Sequence, residues 1–177
     1  DKIIALENDV STLKNDVSTL ENDVSQLNNR TWDVIIEDQK PSGTYGGRFN
    51  SGAWRTRDLN TLVYNHDSLA SLSNNKFTLP AGTYCIEWDA PAYRVVVHKT
   101  KLVNADTLDT VAYGTTASAV ADGSGYSRSW GTFVITINDD VAFEIQHRCH
   151  SSHDWGFGVA ASFGTEIYTR VRIKKIG

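Results

Sequence analysis

The sequence predicts a chain in two parts: a parallel α-helical coiled coil over residues 1–30, then a mainly β head over residues 31–177, a sandwich or barrel of many short strands. Three observations predict it. Apolar residues recur every seven positions at the start, the helical period stops after Arg30, and beyond it alternating apolar runs are cut by Gly, Pro, Asn and Asp. With 177 residues there is room for the stalk and one further domain of roughly 100–150 residues.

The stalk comes first. Ile3, Val10, Val17 and Val24 occupy one heptad position, and Leu6, Leu13, Leu20 and Leu27 follow three residues later, which makes an apolar a/d seam. A lone helix with this seam has nothing in its own chain to bury it against. It must meet copies of itself, and these eight residues are the expected interface. Lys2 with Glu7 and Asp9 with Lys14 can pair between neighbouring helices, whereas Asp16 with Glu21 would repel. Val at a with Leu at d prefers dimers, and the abundant Asn, Ser and Thr lower helix propensity. The stalk, roughly 40 Å long at ~1.5 Å per residue, reads as a spacer that holds heads in register without dictating their number.

Charge narrows the partners. Of the net charge of −4, residues 1–30 hold −3 (six acids, three bases) and the head −1. A nearly neutral head gives no electrostatic reason to expect nucleic acid. The sequence has no Met and begins directly in heptads, so it reads as a piece of a longer chain whose stalk continues upstream. It shows no signal-peptide pattern, and no apolar run approaches the ~20 residues that span a bilayer, so membrane insertion is not expected. Cys85 and Cys149 are too few for a disulfide scaffold, and strand parity places them on opposite faces, so both read as free thiols.

The head follows in order. Trp32 to Asp38 is β-rich, and Pro41 to Trp54 (PSGTYGGRFNSGAW) has the composition of a loop; residues 31–56 form a transition with the first strands. Strands are expected at Phe77–Leu79, Thr83–Asp89, Tyr93–Val103, Thr107–Thr116, Trp130–Ile137, Val141–Cys149 and Glu166–Ile176. Tyr84, Ile86 and Trp88 share a core face. Phe133, Ile135 and Ile137 share another, as do Phe143 and Ile145, and Ile167, Val171 and Ile173 point opposite to Tyr168, Arg170 and Arg172.

The run FTLPAGTYCIEWDAPAY, with PAG turning into an aromatic strand, resembles C1q/TNF-type jelly rolls, which are trimeric. The blocks GGRFNSGAWRTRDLNT, SLSNNKFTLPAGTY, AYRVVVHK, FEIQHRC and GFGVAASFGTEIYTRVRIKK are similar to C-terminal heads of phage tail fibres and of fibres of predatory bacteria. The resemblance covers most of residues 46–177. It implies a homotrimer, an upstream fibre shaft, and an extracellular place on a virion fibre or a bacterial surface or periplasmic fibre. The implied function is attachment through a cell-surface receptor, glycan or protein. The alternatives are a structural head that nucleates trimerisation and caps the fibre, or an enzyme that degrades surface polysaccharide.

Each antiparallel turn switches ends, so Pro80–Gly82, Asn104–Asp106 and Asn138–Asp140 fall at one end as tight turns. Ala90–Arg94, Ser118–Ser127 and His150–Gly156 fall at the other, away from the stalk, and are longer or richer in aromatic and polar residues. Functional side chains concentrate on loops held by a rigid scaffold. The expected ligand-binding residues are therefore Tyr93, Arg94, Tyr126, His150, His153, Asp154 and Trp155, with Tyr45 and Arg48 of the Gly-rich loop as a second group. Trp155 offers a flat ring beside a carboxylate and two imidazoles, the mixture that orients a sugar; the other reading is that it caps the sandwich. Trp54, ahead of the strand-like WRTRDL, reads as core.

No metal, cofactor or catalytic residue is expected. His147, Cys149, His150, His153 and Asp154 are ligand types, but their spacing matches no finger or ribbon, and strand and loop divide them. There is no GxSxG elbow, and Gly123–Gly125 lies between strands with no helix to follow, unlike a phosphate loop. Asp139 and Asp140 serve a turn, and no carboxylate pair is marked for glycoside cleavage. His98 reads as a hydrogen-bonded structural histidine. Arg170, Arg172 and Lys174 form a basic row, either solvated or facing another subunit.

Overall fold

The structure, a computed structural model, describes residues 2–122 and 125–177, the side chains of residues 26–29 excepted, and forms two compact units, residues 1–31 and 32–177. The stretch Gly123–Gly125 and the seam residue Leu27 thus lie wholly or partly outside the described residues and side chains.

The first unit is one helix, α1 (Lys2–Asn29). Its poor helix formers are partly accommodated by back-bonding: Thr12 Oγ1 donates to Asn8 O at 3.0 Å and Thr19 Oγ1 to Asn15 O at 2.9 Å. The seam side chains from Ile3 to Val24 are 46–72% exposed in the single chain.

The second unit is two antiparallel sheets face to face. The first has the order β3-β1-β11-β6-β9, from β3 (Thr61–Asn65), β1 (Val34–Lys40), β11 (Glu166–Lys175), β6 (Gly82–Tyr93) and β9 (Tyr126–Ile137). The second has the order β4-β5-β10-β7-β8, from β4 (Ser71–Ser73), β5 (Lys76–Leu79), β10 (Val141–Cys149), β7 (Val96–Asn104) and β8 (Thr110–Ala119), with β2 (Arg55–Thr56) on β10. We call the end where Trp32 and Asp33 lead into β1 the base, and the opposite end the tip. Register places Ile173, Tyr84, Ile137 and Asn104 towards the base, and Glu166, Tyr93, Tyr126 and Cys149 towards the tip. The tight turns at Pro80–Gly82 and Asn138–Asp140 therefore lie at the base, as expected.

Several boundaries differ from the sequence reading. Ala90–Tyr93 is not a loop: β6 continues to Tyr93 and pairs Tyr93 with Tyr126, so β9 also begins four residues before Trp130. Pro91 is tolerated because the ladder with β11 ends at Asp89–Arg170, leaving that side of β6 without a partner strand. The turn falls at Arg94, whose φ is 55°. β8 starts at Thr110 because Asn104 Oδ1 caps Asp106 N (3.0 Å) and Thr107 N (3.2 Å) in a wider turn. β2, β3 and β4 have five residues or fewer, too short for periodicity to reveal.

The main core lies towards the base. Tyr84, Ile86, Trp88, Leu102, Phe143, Ile145, Val171 and Ile173 are fully buried there. Phe133 and Ile167 share the parity of core rows yet are 39% and 38% exposed, because one is on an edge strand and the other lies past the β1 bulge near the tip. Towards the tip, a smaller cluster of Phe49, Ala92, Val95, Ala119 and Cys149 takes over. Between them the core-facing rows turn polar. Trp88 Nε1 donates to Thr100 Oγ1 at 2.9 Å, and Thr100 N to Ser129 Oγ at 3.0 Å. His98 Nδ1 meets His147 Nε2 at 2.8 Å, and His98 Nε2 meets Ser127 Oγ at 2.8 Å. His98 is thus the hydrogen-bonded structural residue that was expected. Both cysteines are free, with Cys149 buried and Cys85 half-buried.

The basic row on β11 is laced to acids on or just ahead of neighbouring strands. Arg170 pairs with Glu37, Arg172 with Asp89 at 3.6 Å, Lys174 with Asp33 at 3.8 Å, and Arg128 of β9 also with Asp89.

Candidate functional site

Two loops, 41–54 and 150–158, meet at the tip because their backbones form a short ladder. Phe49 N donates to His153 O at 2.9 Å and His153 N to Phe49 O at 3.1 Å, while Gly46 N donates to Gly158 O at 2.9 Å and Phe157 N to Gly47 O at 3.1 Å. Gly46 must be glycine, since a Cβ there would lie 2.8 Å from the Phe157 carbonyl. Phe49 anchors the pair from below, fully buried and stacked on Phe157 at 4.4 Å. Arg57 clamps the assembly from within the core. It donates to Thr169 Oγ1 (2.8 Å) and Phe157 O (2.9 Å), with its guanidinium 4.1 Å from the centre of the Phe157 ring. Burial pushes its pKa down to about 10, so it stays charged.

On this frame the two groups of candidate residues become one. Tyr45 and Trp155 stack at 4.6 Å with 10° between their planes. His153 sets its edge against Trp155 at 5.9 Å and against Tyr93 at 5.1 Å, giving a continuous row Tyr45–Trp155–His153–Tyr93. Trp155 N donates to His153 Nδ1 at 3.1 Å, which leaves Nε2 of the neutral ring as the proton carrier. Beside the rings Arg48 Nη1 pairs with Asp154 Oδ1, and Arg48 Nε donates to Asn50 Oδ1 at 2.7 Å. Both partners are more than half exposed, so the pair contributes little to stability but leaves donors and a carboxylate oxygen at the rim. Tyr45 and Trp155 are 40% and 43% exposed. The site is a flat apolar platform bordered by hydrogen-bonding groups.

The other candidates lie apart or at the margin. Arg94 extends over the Tyr93 ring at 5.5 Å, and its Nε is buried without a hydrogen-bond partner among the described residues. Tyr126 is exposed opposite Tyr93, within 3.5 Å of Arg128 Nη1. His150 is separated from the ring row: its N donates to Val97 O at 2.9 Å, and it lines a cleft on the outer face of the second sheet. Trp54 is half-buried and lines that cleft too, with Lys101 Nζ 4.7 Å from its ring centre, which corrects its assignment to the core. Phe49, Phe157 and Arg57 escaped the sequence reading because each works through a partner about a hundred residues away.

Among the described residues no group of three His, Cys, Asp or Glu side chains is placed to hold a metal. Burial raises the Cys149 thiol to about 11, so it is not a thiolate at neutral pH. Glu166 lies near the tip, where its carboxylate accepts the N–H groups of Ala161, Gly43 and Ser162 and is held below the usual carboxylate range. It fixes loops and is not a free acid.

No family model and no curated protein matches the chain. Solved structures do. Murine APRIL matches with a TM-score of 0.50 and 8% identity over 80% of this chain and 98% of that one. Eiger TNF from S. frugiperda matches with a TM-score of 0.50 and 9% identity, covering 81% of this chain and 92% of that one. At these identities the likeness is one of fold: the head is a TNF-like jelly roll. Among the described residues no helix is long and apolar enough to cross a membrane.

Proposed function

We propose that the chain is the tip of a homotrimeric fibre that attaches to a host or prey cell by binding a surface glycan through the loops at the tip of its head. The observation that carries this reading is the convergence of Tyr45, His153, Trp155 and the Arg48–Asp154 pair, from loops far apart in sequence, on one exposed platform. Sugar recognition needs that combination: an aromatic face for the C–H side of a ring, with charged and imidazole groups at its rim for hydroxyls. Three such sites on one axis gain avidity through effective concentration, so each can be weak. The fibre setting, with a shaft upstream, draws on the resemblance of residues 46–177 to fibre heads.

Binding of the full chain to a glycan array and to whole cells tests it. Trp155→Ala is expected to lower binding about tenfold or more, through loss of an aromatic face worth roughly 1–3 kcal/mol. Binding that the variant leaves unchanged removes this site. A complete absence of cell binding, together with melting of the stalk when the head is deleted, favours a purely structural cap. Turnover of capsule or lipopolysaccharide favours an enzyme instead.

A further inference from the structure

The cleft on the outer face of the second sheet has a volume of about 540 Å³, and its ten lining residues include no Asp or Glu. Lys99 and Arg148, both in the lining, are direct cross-strand partners on β7 and β10, and they project to the same face. Like charges in that register repel, and sheets avoid them unless something neutralises them. Neither has an ion pair among the described residues; Lys99 Nζ lies 4.9 Å from the Tyr113 ring, and Arg148 is exposed. The nearest acid on the same face of β10 is Glu144, four residues back and roughly 13 Å along the strand, where Thr56 Oγ1 (3.3 Å) and Gln146 already engage it. The first sheet treats its cations in the opposite way, meeting Arg128, Arg170 and Arg172 with Asp89 and Glu37. In a chain of net charge −4, a cleft with two adjacent cations and no acid in its lining has the charge that suits an anion.

The rest of the lining says what kind of anion. Trp54 supplies an indole wall, and Ser51, Thr116 and His150 supply hydroxyl and imidazole groups around it. A bare inorganic anion needs none of these. A sugar ring bearing an anionic group uses all of them, with the ring on the indole, hydroxyls on the polar side chains and the acid between Lys99 and Arg148. The wall is held in place from the other loop: Ser51 N donates to Ser152 Oγ at 2.9 Å, and Phe49 fixes the segment before it. The site shares this support with the ring row at the tip but none of the ring row's ligand-facing side chains.

We propose that this cleft is a second binding site, for a pyranose that carries a carboxylate. The test titrates the full chain with D-glucuronate, methyl glucoside and acetate at low ionic strength, followed by ligand-observed NMR. Saturable binding of glucuronate is expected, with the neutral glucoside and acetate each about tenfold weaker or more. Lys99→Gln and Arg148→Gln should each weaken glucuronate by about tenfold, while Trp155→Ala leaves it unchanged, so failure of the tip site and failure of this one are distinguishable. Both cations sit on the solvent face, so the variants should fold. Without ligand they should melt at the same or a higher temperature, since a repulsion is removed, whereas cations with a merely structural role would lower the melting temperature when lost. No saturable glucuronate binding, equal binding of acetate, or indifference to both charge variants overturns the proposal.

Discussion

His98 and His147 show how a single buried contact fixes the pH range of the head. Their rings share one hydrogen bond, and Nδ1 of His147 is buried with no partner among the described residues, so neither ring has solvent to stabilise a charge. Burial, with the nearby Arg57 charge, lowers His98 from 6.5 to about 4 and His147 well below 6.5. Both folded-state values are depressed, so the unfolded chain takes up protons first as pH falls. The stability these rings permit is therefore fully present above about pH 6.5 and is lost as pH falls towards 4, each histidine contributing a slope of up to about 1.4 kcal/mol per pH unit. Urea unfolding at steps from pH 7.5 to 5 should show the midpoint constant at the upper end and falling below 6.5, with a shallower fall in His147→Gln. A midpoint that stays flat down to pH 5 contradicts this account. The pairing of two histidines in separate strands, 49 residues apart, was not legible from either strand alone; that His98 is structural was, because it sits in the strand-like run AYRVVVHK.

At the scale of elements, the loop 41–54 does the most with the least regular structure. Its residues form a wall of the tip platform through Tyr45 and Arg48 and a wall of the cleft through Ser51 and Trp54, and Phe49 between them is the anchor for both. Phe49→Ala should cost about 3–5 kcal/mol by opening a cavity among Val95, Cys149 and Phe157. It should also expose the loop, so denaturant unfolding is paired with limited proteolysis within residues 41–54. A loss below about 1 kcal/mol with unchanged proteolysis would show that the backbone ladder to residues 153–158 suffices alone. The composition PSGTYGGRFNSGAW marked a loop, and Tyr45 and Arg48 were legible as exposed candidates on that ground, as Trp155 was from the loop HSSHDWGFG. What the sequence could not convey is that Tyr45 stacks on Trp155, since residues so far apart meet through tertiary contacts that no local period encodes. The strands divide in the same way. Val141–Cys149 and the inward row Tyr84–Ile86–Trp88 follow from alternation, whereas the extension of β6 through Pro91 depends on its ladder with β11 having already ended at Asp89–Arg170.

At the scale of the whole molecule, the first sheet carries exposed apolar side chains on both of its edges. Leu62, Val63 and Tyr64 lie on β3 at one edge, and Trp130, Phe133 and Val134 on β9 at the other. Two different apolar patches on one protomer are what a head-to-tail contact requires, and such contacts close into rings where the rotation between copies closes. An uncovered edge strand such as β3 would otherwise invite open-ended association. The heptad seam demands copies too, but its Val-and-Leu pattern and its Asp16–Glu21 repulsion specify the number poorly. We therefore expect the head to set the count at three and the stalk to follow. Light scattering of the full chain should give three times the 19.6 kDa chain mass. Trp130→Glu with Val134→Glu should break that mass down, because two charges per contact would have to be buried at a cost of several kcal/mol each. Val10→Asn with Val17→Asn, which spoils the seam, should leave it at three. If the seam variant dissociates the assembly and the edge variant does not, the stalk governs the count and the apolar edges serve something other than self-association; a monomeric full chain removes the trimer altogether.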